Sequence, residues 1–177
     1  MFNLTNMNLR RFLAIAVLSM LSFQGHATHL LGGEIVWKCK PNGKYQFTLV
    51  LYRECGGIGL PTTAQSLATN AGVSISCAFI STTDVVPSCY TGTTNCAGAT
   101  SGTGKMQKYV YRSGDITLTG TPPAGGWYFT WTSCCRPGTI SNVVSPGGAS
   151  YLLRAVMYPY TPPGSTAALS AGTAANP

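Results

Sequence analysis

From Glu34 to Tyr52 apolar and polar positions alternate. Ile35, Trp37 and Cys39 interleave with Glu34, Val36 and Lys38; Tyr45, Phe47, Leu49 and Leu51 interleave with Gln46, Thr48, Val50 and Tyr52. Period two marks strands with one buried face, and the intervening Lys40-Pro41-Asn42-Gly43-Lys44 carries turn chemistry, so the segment reads as a β-hairpin. Two registers compete. A two-residue Asn42-Gly43 turn sets Trp37 opposite Thr48. A three-residue Pro41-Asn42-Gly43 loop sets Cys39 opposite Tyr45, Trp37 opposite Phe47 and Ile35 opposite Leu49. Directly opposed residues share a face, so the second register makes one continuous apolar face. It also places Pro at the favoured second position of a type I turn and Gly at the left-handed position. In this register Cys55 lies about ten residues, or ~30 Å, down the partner strand from Cys39, while a disulfide spans about 7 Å between Cα atoms. A straight strand therefore excludes a Cys39–Cys55 bond.

Alternation returns over residues 73–80, 105–113, 127–135 and 151–158, with a short strand expected over 115–119. Residues 56–104 carry the weakest signal. There only 73–80 reads as a strand, and 84–101, rich in Ser, Thr, Gly and Asn, reads as a loop pinned by a Cys89–Cys96 bond. In 127–135, Trp127, Phe129, Trp131 and Cys135 share one face; Tyr128, Thr130, Thr132 and Cys134 share the other. The aromatic face is core. The adjacent Cys134 and Cys135 point to opposite faces, so each takes a different partner, Cys135 within the core and Cys134 toward a covering loop. Strands at short spacing, with Gly and Pro turns and no helical period, predict an all-β antiparallel sandwich, disulfide-stabilised and immunoglobulin-like, with a jelly roll as the alternative.

The N-terminal segment has a different pattern. Arg10 and Arg11 precede a ten-residue apolar run, 12–21, and Gly25-His26-Ala27 supplies small residues where a signal peptidase reads. The run is too short for a bilayer, which needs about 20 apolar residues. Residues 1–27 thus read as a signal peptide, 28–160 as the sandwich domain, and the uncharged Pro/Gly/Ser/Thr/Ala-rich 161–177 as a linker or tail. The expected location is extracellular, with no transmembrane segment.

Charge adds little at this level. Charged residues are 8% of the chain; without Arg10 and Arg11, nine Lys and Arg face four acids, a net +5. The basic residues are scattered and form no nucleic-acid motif, which implies a mildly basic solvated surface and leaves weak attraction to an acidic polysaccharide or membrane surface.

Seven cysteines follow the leader: Cys39, Cys55, Cys77, Cys89, Cys96, Cys134 and Cys135. In an oxidising compartment they are candidate disulfide partners, and an odd count leaves one thiol free or bonded elsewhere. Zinc needs closely spaced ligands, and the sequence has no Cys-x-x-Cys and a single His, His29, after the leader. Neither metal nor cofactor is expected. The four acids (Glu34, Glu54, Asp84, Asp115), His29 and the glycines form no catalytic or phosphate-binding set, which argues against an enzyme. Arg53-Glu54 and Arg136 lie beside cysteines at strand ends. They serve either as a ligand-contacting rim or, preferably, as ion pairs and backbone caps holding the disulfide region.

Three segments resemble a known family: residues 27–35 (Ala-Thr-His-Leu-Leu-Gly-Gly-Glu-Ile), residues 51–55 (Leu-Tyr-Arg-Glu-Cys) and residues 134–144 (Cys-Cys-Arg-Pro-Gly-Thr-Ile-Ser-Asn-Val-Val). Together they are similar to the N-terminal module of large secreted surface proteins of Bacteroidetes-type bacteria, which often end in a gliding-motility-associated or type IX secretion sorting domain. The resemblance implies an extracellular, cell-surface, adhesin-like role. Members usually continue past the point where this chain stops at Pro177, so it also implies a fragment or a short relative. The expected function is a non-enzymatic structural or interaction module, with partners among surface polysaccharides, cell-surface proteins, further domains of a longer chain or a second copy. The alternatives are a carbohydrate-binding module, using an exposed row of Tyr109, Tyr111 and Tyr128, and a secreted hydrolase.

Overall fold

The alternating segments form the strands of a computed structural model, which describes residues 30–85, 96, 98, 104–134, 136, 140–160 and 164 of the 177. The strands are β1 (Leu30–Cys39), β2 (Tyr45–Glu54), β3 (Gln65–Thr69), β4 (Ile75–Val85), β5 (Met106–Ser113), β6 (Trp127–Ser133) and β7 (Tyr151–Met157). Among the described residues the only helical turn is a 3-10 turn at Pro146–Gly148. No helix there is long and apolar enough to cross a membrane.

Every strand pair is antiparallel, in the order β1-β2-β5-β4-β3-β6-β7. This is the immunoglobulin arrangement, a β1-β2-β5-β4 sheet packed on a β3-β6-β7 sheet. The two sheets are joined through β3. Its first half pairs with β4 through Gln65, Ser66 and Leu67, and its second half pairs with β6 through Ala68 and Thr69. β1 and β7 come together at the remaining edge, so the sandwich nearly closes into a barrel.

The hairpin has the expected register: Cys39 opposite Tyr45, Trp37 opposite Phe47, Ile35 opposite Leu49. Lys40 N–H donates to Lys44 O (2.8 Å) and Gly43 N–H to Lys40 O (2.9 Å), with Gly43 at φ 72°. That left-handed conformation costs glycine nothing. Phe47 of β2 and Phe129 of β6 meet across the sheets with ring centroids 4.5 Å apart, and Trp37 packs on both. Antibody domains join these same two strands, the second and the sixth, by a disulfide. Here an aromatic pair takes that place.

Three expectations need correction. The strand expected over 115–119 is a single bridge, Ile116 to Tyr45, because Ile116 meets only the start of β2. The strand expected over 73–80 runs on to Val85, into the expected loop, because β5 pairs with it as far as Met106. β3 was not expected at all. Its Gln-Ser-Leu-Ala-Thr sequence buries one side chain, Leu67, so no apolar alternation announces it.

Candidate functional site

One end of the sandwich collects the starts of β1, β5 and β7 and the ends of β2, β4 and β6. Leu30 of β1 pairs with Arg53 of β2, Met106 of β5 with both Glu54 and Val85, and Ser133 of β6 with Tyr151 of β7. Described residues of all three motif segments meet here.

Arg53 is the centre of this end. Odd positions of β2 face the core, so the guanidinium is carried inward and is only 8% exposed. A buried cation needs directed acceptors, since removing charge from water costs several kcal/mol when nothing compensates it. The Arg53 Nε and Nη2 groups donate to Gln107 Oε1 (2.9 and 2.5 Å), and Nη1 donates to Gly57 O (2.5 Å), Glu54 O (3.3 Å) and Cys55 O (3.4 Å). The Tyr109 ring lies under it, 5.9 Å from centroid to Cζ. Gln107 passes the polarity on: its Nε2 donates to Asp84 Oδ1 (2.8 Å), and Asp84 Oδ2 accepts the backbone N–H of Cys96 (2.9 Å). Cys96 is bonded to Cys55, with Cα atoms 5.1 Å apart. Arg53 thus holds the backbone at one half of the disulfide, and Asp84 holds it at the other. The preferred structural role of Arg53 is the one the geometry gives it.

The first and third segments connect through β7. Arg136 lies over the Tyr151 ring at 4.7 Å, and its Nε donates to Ser150 O (3.2 Å). The Tyr151 hydroxyl donates to Leu31 O (2.7 Å) across the β1–β7 edge. Gly33 allows that approach. A Cβ there would stand 2.4 Å from Val50 O and 2.8 Å from Leu153 Cδ1, distances no side chain tolerates without displacing backbone.

The expected Cys89–Cys96 bond does not form, because Cys96 pairs with Cys55 at a sequence separation of 41. Cys96, between β4 and β5, is thereby held at the end of β2. Cys39 and Cys55 are unpaired with one another, as the hairpin register requires. Cys134 is disulfide-bonded. Cys89, Cys135 and His29 lie outside the described residues, as do the expected signal peptide, 1–27, and all of the expected linker or tail, 161–177, but Gly164. Cys39 and Cys77 are thiols. Cys77 is fully buried, and burial pushes its pKa up to about 11.

The expected aromatic row is also corrected. Tyr109 and Tyr111 occupy odd positions of β5, which point into the core; they are 6% and 0% exposed. Tyr111 donates its hydroxyl to Pro61 O (2.7 Å), and burial, helped by neighbouring Tyr109, pushes its pKa up to about 12. Tyr128 lies half-buried on the outside of the other sheet, under the Arg154 guanidinium at 5.4 Å. The three rings share no surface.

Among the described residues no three His, Cys, Asp or Glu side chains gather as metal ligands would. A shallow groove of about 340 Å³ lies where β3 leaves β4, lined by residues 66–69 and 73–76 without a charged side chain. Comparisons with protein-family models, with curated proteins and with solved structures give no match.

Proposed function

We propose that the chain is a non-enzymatic, extracellular interaction module of a cell-surface, adhesin-like protein, of the gliding-associated kind its motif segments resemble. The observation that carries this reading is the convergence of the three segments at one disulfide-locked end. They are far apart in sequence, yet Leu30 pairs with Arg53, Arg136 stacks on Tyr151, and Tyr151 reaches Leu31. A disulfide beside them, buried at Cys55 and half-buried at Cys96, speaks for an oxidising compartment. The polar groups at this end are spent on holding backbone. Asp84 serves Gln107 and Cys96, and Arg53 serves Gln107 and the carbonyls that follow it. Asp115 is likewise engaged, by Lys40 and Asn42. These engagements favour a rigid scaffold over a hydrolase, and burial of Tyr109 and Tyr111 removes the aromatic platform of the carbohydrate-binding alternative.

Protease treatment of intact producing cells tests the reading. The full chain, carrying an epitope tag, should be cleaved while a cytoplasmic marker survives, and the product's mass should begin at Thr28. A protected product that retains residues 1–27 would overturn it.

A further inference from the structure

The described basic side chains divide into two sets. In the first, Arg53 and Lys105 are buried, and Arg136 and Arg154 lie over tyrosine rings. The second set is Lys38, Lys40, Lys44, Lys108 and Arg112, all at even positions of β1, β5 and the turn. Register places them on one surface. Val36, Thr48 and Arg112 lie in one row, Lys38 pairs with Gln46, and Tyr52 pairs with Lys108. The inward face of the same strands is Ile35, Tyr45, Phe47, Leu49, Leu51, Tyr109 and Tyr111. All five cations therefore stand on the outer face of the β1-β2-β5-β4 sheet or at its hairpin end. Three carboxylates share that side. Asp115 is taken by Lys40; Glu34 lies in the row between those of Lys108 and Arg112, and Glu54 in the row beyond Lys108, so the cations are interleaved with acids and present a sparse, not a dense, positive lattice. Lys38, Lys108 and Arg112 are neither buried, ion-paired nor stacked on a ring among the described residues.

We infer that this face binds a polyanion, and that the polyanion is a carboxylated polysaccharide. The spacing of the cations chooses among polyanions. Lys108 and Arg112 are four residues apart on one strand, about 13 Å at 3.3 Å per residue. Duplex DNA carries a charge about every 1.7 Å of its axis and would leave most of it unmatched on so sparse a lattice. A glycan with carboxylates on only some of its rings matches a sparse lattice, and it presents hydroxyls between them. Gln46, Thr48 and Tyr52 stand among the cations as hydrogen-bonding groups for those hydroxyls. Arg112 supplies a planar fork suited to a carboxylate, and the lysines supply point charges. This site uses charge on the outer face of one sheet and is independent of the tyrosine row excluded above. It deepens the extracellular reading by giving the module a partner chemistry.

The test is binding of the full chain to hyaluronan, a glycan with a carboxylate on alternate rings. Neutral dextran, dextran sulfate, duplex DNA and anionic phospholipid vesicles serve as counter-probes. Hyaluronan should bind best at matched salt, and affinity should fall as salt rises toward 1 M, where the Debye length shrinks to about 3 Å. The triple variant Lys38→Gln/Lys108→Gln/Arg112→Gln should lose at least about tenfold in affinity, a change of about 1.4 kcal/mol. Arg154→Gln, on the other sheet, should bind as the parent does. Absent binding, affinity indifferent to salt, equal affinity in the triple variant, or tighter binding of DNA, vesicles or the sulfated polymer would each overturn the inference. The parent's salt dependence decides the matter even if the triple variant misfolds. A surface-exposed chain that ignores hyaluronan would remove the partner and leave the proposed function standing.

Discussion

The two ends of the sandwich are tied by the same three kinds of group, a base, an amide and an acid. At the hairpin end these are Lys40, Asn42 and Asp115. Lys40 Nζ and Asn42 Nδ2 both donate to the Asp115 carboxylate, clasping the turn to the chain after β5. At the disulfide end they are Arg53, Gln107 and Asp84, linked in series. The Lys40 and Asp115 side chains are about a third exposed, whereas Arg53 is buried. In water each group of the clasp has an equally good alternative partner, so the contact contributes little. Inside, no water replaces a lost partner, and the same chemistry becomes obligatory. Surroundings, not residue types, decide which end is structural.

The comparison breaks most visibly at the covalent tie. Cys55→Ser/Cys96→Ser opens a loop with a sequence separation of 41. Loop-closure arithmetic puts the loss at about 4 kcal/mol. Urea unfolding of parent and variant should show the midpoint fall, with a slope at least as steep as the parent's because the unlinked unfolded chain exposes more surface. A loss below about 1 kcal/mol would mean that the network alone holds this end.

Next in size is Arg53→Gln. It withdraws the donors from Gly57 O and Gln107 Oε1 in a site closed to water. The expected destabilisation is about 3 kcal/mol, in the range for removing one member of a buried charged network. It should be nearly the same at low and high salt, because buried groups are weakly screened. An effect that vanished in high salt would place Arg53 at the surface and dissolve the contrast between the two ends.

How far the sequence disclosed this arrangement depended on whether a feature was local. The hairpin register was legible because only one pairing of Ile35, Trp37 and Cys39 with Leu49, Phe47 and Tyr45 makes a continuous apolar face. Strand β6 was legible because Trp127, Phe129 and Trp131 recur at period two. β3 was hidden because it divides its hydrogen bonds between β4 and β6 and buries only Leu67. The Cys55–Cys96 bond was hidden because it joins the end of one hairpin to the loop of another, a proximity no spacing encodes. The tyrosines of β5 showed their alternation but not which side was inside. That choice is made by the neighbouring strands, Tyr111 lying between Leu49 and Phe79. The same parity gathers Lys38, Lys108 and Arg112, scattered in the sequence, onto one face.

The smallest effect belongs to the hairpin end. Hydrogen bonds from Lys40 and then Asn42, with the nearby charges of Lys40 and Lys44, hold the Asp115 carboxyl below its ordinary value. A carboxyl whose pKa is lower folded than unfolded favours the fold above the unfolded pKa, near 3.9, and that contribution is lost as pH falls through the folded value. Lys40→Gln should therefore bring the Asp115 titration, followed by NMR, up toward the ordinary value. The unfolding midpoint at pH 7 should stay within error of the parent's, and any difference from the parent should shrink further as the pH falls and the carboxylate is protonated in both. If Lys40→Gln instead destabilised the fold as much as Arg53→Gln, the exposed clasp would be as structural as the buried one. Burial would then no longer explain the difference between the two ends.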